Sequence, residues 1–174
     1  MQKTNNLRFS FIHSLATIET NLQINAPVEI VFDLSRSIDL HMISTAHTNE
    51  KAVAGVMRGL INKNETVTWQ ARHLFKIRRF ETKITAMEPW HYFRDEMIQG
   101  DFKSFYHEHF FQPNENGTLM TDKIKLEAPY GFIGKIANAL FLKNYIKKFL
   151  ANRNNTIQLY AESGEWKKIL NSND

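Results

Sequence analysis

The chain has 174 residues, no cysteine, and 22 Lys+Arg against 18 Asp+Glu for a formal net charge of +4. That length fits one domain able to enclose a core or wrap a cavity. The absence of cysteine excludes a disulfide framework, a thiolate nucleophile and a cysteine metal site, and the basic residues are too dispersed to predict a nucleic-acid partner.

In chain order, residues 1–13 are a polar tail or strand extension, 14–165 a single domain and 166–174 a carboxy-terminal tail. No stretch has the pattern of a signal peptide or the roughly 20 apolar residues of a membrane span, so a soluble, cytoplasmic protein is expected. Leu15 to Ile24 alternates at period two and predicts a first strand. Pro27 then stands at a helix's first position, with Val28, Val31, Phe32 and Ser35 at helical spacing, so a short helix runs over 27–36. A second short helix is predicted over 38–43, with the Asp39 carboxylate near its exposed backbone N–H groups.

From Lys51 the pattern returns to strands: 51–56, 65–75, 76–87, 91–99, 104–112 and 118–127, separated by turn residues such as Gly100-Asp101 and Asn114-Glu115-Asn116-Gly117. Consecutive strands of this kind predict an antiparallel meander. Between the first two, Met57-Arg58-Gly59-Leu60-Ile61 reads either as a mobile lid or as a connection whose Leu60 and Ile61 pack inward. After Pro129 and Gly131 the pattern is helical from about Phe132 to Ala161, and apolar nearly all round through Phe141 to Leu150.

The chemistry concentrates in the hairpin from Phe105 to Asp122. Period two places Phe105, His107, His109 and Phe111 on one face of its first strand, and Met120, Asp122, Ile124 and Leu126 on one face of its second. A sheet packed for stability alone would fill that face with aliphatic side chains, since each unpaired buried polar group costs about 1–3 kcal/mol. Ionisable groups among aromatics therefore point to the wall of a pocket. Whether Asp95 joins them depends on the Gly100-Asp101 turn, because a one-residue change there exchanges Asp95 for Glu96. Trp69, Ala71, His73 and Phe75 share a face of another strand, as do Phe93 and Met97; each set is either plain core or cavity lining.

Two histidines at i and i+2 on a strand face the same way, as metal ligands would. With Asp122, Asp95 and His73 in unknown register there is no assured third ligand, so no metal site is assigned. His107-Glu108-His109 also lacks the i, i+4 spacing of the helical zinc motif. No serine elbow or glycine-rich phosphate loop is present.

The order strand, two short helices, about six strands and a long final helix resembles the helix-grip fold of the START-like (SRPBCC) superfamily. Asn25-Ala26-Pro27-Val28-Glu29-Ile30-Val31-Phe32 is similar to that superfamily's opening motif. Thr66 to His73, Phe93-Arg94-Asp95-Glu96, Phe105 to Phe111, and Thr121-Asp122 followed by Pro129-Tyr130-Gly131-Phe132-Ile133-Gly134 resemble its polyketide cyclase/dehydrase-like branch. The resemblance implies an α+β fold in which a curved sheet of six to seven strands wraps a long helix around a cavity. It also implies binding of a small hydrophobic ligand (a lipid, an isoprenoid quinone or a polyketide-like aromatic) with no cofactor and no metal.

On that basis Trp69, His73, Phe93, Asp95, Met97, Phe105, His107, His109, Met120 and Asp122 are the expected ligand-binding residues. Were the protein a cyclase or dehydratase, His107, His109 and Asp122 would carry its acid-base chemistry. A third alternative is a protein-binding module, against which the charged outward set Arg79, Glu81 and Lys83 argues. Lys135, Lys143, Lys147, Lys148 and Arg153 form either a solvated helix edge or a surface for transient membrane contact.

Overall fold

The computed structural model describes residues 15–73, 76–127 and 136–171. Its strands are β1 (Leu15–Ile24), β2 (Lys51–Gly55), β3 (Thr66–His73), β4 (Lys76–Glu88), β5 (Tyr92–Gln99), β6 (Ser104–Asn114) and β7 (Gly117–Glu127). Its helices are α1 (Val28–Ser35), α2 (Ile38–Ser44), α3 (Ile136–Ser163) and α4 (Trp166–Leu170). The amino-terminal tail, Phe75, the Pro129 to Gly134 motif and Lys135 lie outside the described residues.

The strands form one antiparallel sheet in the order β1-β7-β6-β5-β4-β3-β2. Strands β2 to β7 are a meander, and β1 closes the far edge by pairing with β7 along its whole length. Register shifts in the β2/β3 and β4/β5 pairs mark bulges, which bend a strand and add curvature. With α3 packed across the sheet, this is the helix-grip architecture.

Local chemistry accounts for the boundaries. Pro27 precedes α1, which buries Val31, Phe32, Leu34 and Ser35. The start of α2 is capped by Ser37, whose Oγ accepts from Leu40 N at 3.2 Å. Asp39, expected to serve that helix start, instead accepts the Gly59 N–H at 2.7 Å. Together with Ile38 N to Gly59 O at 2.9 Å and Ile61 N to Arg36 O at 3.2 Å, this fixes the 57–61 segment against the helices. Ile61 is buried, so the segment is a connection packed inward rather than a lid. In the β6/β7 turn, Gly117 has φ +108°, and a Cβ there would stand 2.3 Å from Ile24 O, so only glycine fits.

Two apolar cores lie between sheet and helices. The larger holds Ile24, Phe32, Leu34, Leu40, Trp69, Phe93, Phe111, Met120 and Ile157, the smaller Ile18, Ile124, Leu126, Ile146 and Leu150. Residues 166–170, expected as part of a tail, form α4, whose Ile169 is buried in the larger core. Phe32 centres that core, with ring centroids 5.6 Å from Phe93 and 5.3 Å from Phe111 in edge-to-face contact. Phe32→Ala should cost about 3–5 kcal/mol of unfolding free energy, read from urea denaturation midpoints.

Candidate functional site

Between the two cores the inward face changes character. On β7 the buried run is Met120, Asp122, Ile124; on β6 it is His107, His109, Phe111; on β5, Phe93 is followed by Asp95. The pairing places Asp95 opposite His107, His109 opposite Asp122, and Asp122 opposite Thr20 of β1. A polar band thus crosses four adjacent strands. The β5/β6 register settles the question left open at the Gly100-Asp101 turn. Asp95 faces inward, while Glu96 accepts from Thr85 Oγ1 at 2.6 Å and pairs with Arg94 at 2.7 Å.

Asp122 is fully buried and held by polar partners. Its Oδ1 lies 3.1 Å from His107 Nε2 and its Oδ2 accepts from Asn154 Nδ2 at 2.6 Å. His109 Nδ1 stands 2.6 Å from the same Oδ1, yet the approach falls outside hydrogen-bond direction and the nitrogen has no well-aligned partner. That contact is therefore electrostatic in character. The other ring nitrogens turn to Asp95 Oδ2, with His109 Nε2 at 3.1 Å and His107 Nδ1 at 3.7 Å. Each imidazole is held between two carboxylates, and the two ring centroids are 3.8 Å apart. Accessibility rises from Asp122 (0%) and His109 (2%) to His107 (10%) and Asp95 (17%), so the cluster opens on the Asp95 side.

Aromatic and helical groups frame it. Phe93 stacks on His109 at 4.0 Å, and Phe105 meets His107 edge-on at 6.4 Å. From α3, Arg153 approaches Asp122 Oδ1 to 3.7 Å and donates to Ser35 O at 2.8 Å and to Asn154 Oδ1 at 3.2 Å. Arg153 was expected on a solvated or membrane-facing helix edge. Its side chain is buried, and it ties α3 to α1 and to the cluster; Lys147 and Lys148 are exposed.

Several expected ligand-binding residues stand apart from the cluster. Trp69 belongs to the larger core and stacks on His41 at 4.1 Å; His41 in turn contacts Glu50 at 3.0 Å. His73 ends β3, three strands from β6, about 14 Å across the sheet; its side chain lies outside the described residues. Met97 packs over Gly100 beside Phe80. Met120 lies one inward position from Asp122 and meets Ser35 Oγ at 3.5 Å. Sequence reasoning missed Asn154 and Thr20, and misplaced Arg153. An Arg-Asn pair two turns before the end of the described apolar pattern is a weak signal, since such residues normally mark a helix's wet face.

The electrostatics follow from burial and pairing. Burial alone would raise the Asp122 carboxyl, but attraction to His109 and the hydrogen bond from His107 hold it well below the usual carboxylate range. Asp95 is likewise lowered, burial being overcome by the His109 hydrogen bond and the attraction of His107. His107 is lowered too, first by burial and then by repulsion from His109, against the pull of Asp122 and Asp95.

No family model and no curated protein matches the sequence. Solved structures do match. A Staphylococcus aureus protein of unknown function superposes with a TM-score of 0.69 at 11% identity, over 88% of this chain and 98% of that one. The di-domain aromatase/cyclase of the steffimycin biosynthetic pathway gives 0.67 at 12% identity, over 87% of this chain and 52% of that one. The Zhui aromatase/cyclase from Streptomyces gives 0.67 at 10% over 85% and 94%, and major latex-like protein 151 from Panax ginseng 0.61 at 14% over 84% and 97%. The likeness shows the helix-grip fold. Among the described residues, no helix is long and apolar enough to cross a membrane.

All three shifted groups near the cluster favour the deprotonated form in the native state. As pH falls, the unfolded chain takes up protons first, so stability is lost toward acid. The first loss should begin near the ordinary histidine value of 6.5 through His107, and a second below the ordinary carboxylate value of 3.8 through Asp95 and Asp122. Thermal melts between about pH 8 and pH 3 should show both, and His107→Gln should diminish the upper step while keeping the lower.

Proposed function

We propose that the protein binds a small, largely apolar molecule between the concave face of the sheet and α3, with a polar end of that molecule held by Asp95, His107 and His109. The observation that carries this is the polar band itself. A buried ion-pair cluster is no more stabilising than well-packed apolar residues of the same volume, and often less so. This one interrupts an otherwise apolar face and opens on its Asp95 side. Apolar contact would supply most of the affinity, at about 25 cal/mol per Å² buried before association costs. The ligand class is a lipid, an isoprenoid quinone or a polyketide-like aromatic. Likeness to two proteins named aromatase/cyclases supports the last of these at the level of fold.

A second reading rests on the proton-sharing geometry. His107 and His109, each between two carboxylates, have the arrangement a cyclase or dehydratase uses to move protons at a carbonyl-bearing substrate. The outer face of the sheet carries the Arg94–Glu96 and Lys125–Glu108 ion pairs, which disfavours the protein-binding alternative there.

Native mass spectrometry of the purified protein, followed by organic extraction, tests the binding reading. A stoichiometric apolar adduct is expected, and a ligand of its class should lose at least tenfold in affinity with Asp95→Asn or His107→Asn. No adduct, together with no thermal shift across lipid, quinone and polyphenol panels, would reject the carrier reading. Turnover of a polyketide-like substrate that collapses in the same variants would favour the enzyme.

A further inference from the structure

Asp95, His107 and His109 bring three potential ligand atoms together on the open side of the cluster. In a neutral imidazole one nitrogen carries the proton and the other a lone pair. A metal ion takes the lone pair of one nitrogen of each ring, and the nitrogens that face Asp95 are His107 Nδ1 and His109 Nε2. His109 Nε2, His107 Nδ1 and the Asp95 carboxylate converge, with donor atoms 3.1 Å and 3.7 Å from Asp95 Oδ2 and all three within 4.8 Å of one another. Without an ion a proton on His109 Nε2 holds the contact to Asp95 as a hydrogen bond, and a bound cation would take that proton's place. The formal count agrees, since Asp95 and Asp122 carry two negative charges and Arg153 brings one positive charge near Asp122.

We propose that Asp95, His107 and His109 bind a divalent first-row transition-metal ion. Tetrahedral ligands about 2.0–2.1 Å from such an ion stand about 3.3 Å apart, a spacing that the two measured distances bracket. Two imidazoles and one carboxylate form a donor set suited to zinc, iron or cobalt, and leave coordination positions open. Asp122 is the outer-sphere group. It hydrogen-bonds the far nitrogen of His107 at 3.1 Å, lies 2.6 Å from that of His109 and is itself held by Asn154; a carboxylate on the far nitrogen fixes ring orientation and tautomer in metal-bound histidines. The open positions lie toward Asp95 and His107, the more accessible members of the cluster. An ion there would present a Lewis acid to a ligand's oxygen. Sequence alone left the histidine pair without a third ligand; the β5/β6 register supplies it.

The test uses the full chain, free of any affinity tag, stripped with EDTA, exchanged into chelator-free buffer and titrated with Co²⁺ and with Zn²⁺ in the absence of organic ligand. One ion per chain is expected, with visible d–d bands for cobalt and a raised melting temperature. Asp95→Asn should weaken binding at least tenfold while circular dichroism shows the fold intact, and His107→Gln provides a second folded test if Asp95→Asn is not folded. Asp122→Asn should weaken binding by about 10–100-fold without changing stoichiometry, and His91→Gln, at an exposed histidine, should leave binding unchanged. No saturable binding of either ion, or unchanged affinity in a folded Asp95→Asn or His107→Gln variant, would overturn the proposal and assign the positive charge to a proton.

Discussion

Burial of the Asp122 carboxylate is the constraint around which the described structure is arranged. An isolated ionised carboxylate in an apolar interior costs several kcal/mol even after relaxation, so its oxygens must be matched by donors and positive charge. Three elements answer that demand: β6 with His107 and His109, β1 with Thr20 alongside, and α3 with Arg153 and Asn154. Arg153 extends the connection to α1 through Ser35 O. Hydrogen bonds and ion pairs are directional in a way that apolar contact is not, so this network fixes how the long helix sits on the sheet. The apolar cores on either side supply burial energy, and the polar band supplies register.

That division explains why the core is split. Ile18, Ile124, Leu126, Ile146 and Leu150 lie on one side of the band, and Met120, Phe93, Phe111, Phe32 and Ile157 on the other. Along each strand the change is a single inward position, as from Met120 to Asp122 to Ile124. Along α3 it falls between Leu150 and Ile157, where Arg153 and Asn154 face inward. The helix therefore repeats the apolar, polar, apolar order of the sheet beneath it. Anything that changes charge within the band acts at once on the contacts that hold α3, coupling occupancy of the cluster to helix position.

Much of this was legible in the sequence, for physical reasons that differ by element. The β6/β7 face was readable because strand period is exact and the turn residues Asn114 to Gly117 fix the hairpin, leaving no freedom in which side chains share a face. Asp95 was not, because the β5/β6 connection admits two registers with opposite facings. Trp69 read as a cavity wall because its strand pattern was right, but its partner His41 comes from α2, a contact that no local periodicity encodes. Arg153 misled for a related reason. Apolar residues nearly all round the preceding turns of α3 blur the helical period, and a buried arginine is identifiable only with the carboxylate it faces. The tail beyond residue 165 failed as an expectation because α4 is too short to show a helical period, although Trp166, Ile169 and Leu170 give it an apolar face for the larger core.

The structural neighbours sharpen what belongs to the fold and what belongs to this chain. At 10–14% identity they share the fold, which the pattern of strands and the closing helix already imply. A fold of this kind sets up an inward sheet face and a helix across it, and leaves the chemistry of that face to individual residues. Here the residues are one His-x-His strand segment flanked by two aspartates on neighbouring strands. The asymmetry between those aspartates is the informative part. Asp122 is sealed and held by Asn154 and the imidazoles. Asp95, part exposed and meeting only the imidazoles, keeps an oxygen for which the described contacts give no hydrogen-bond donor. The two carboxylates share the imidazoles but differ in accessibility, and Asp95 is the one from which the binding proposed above would start.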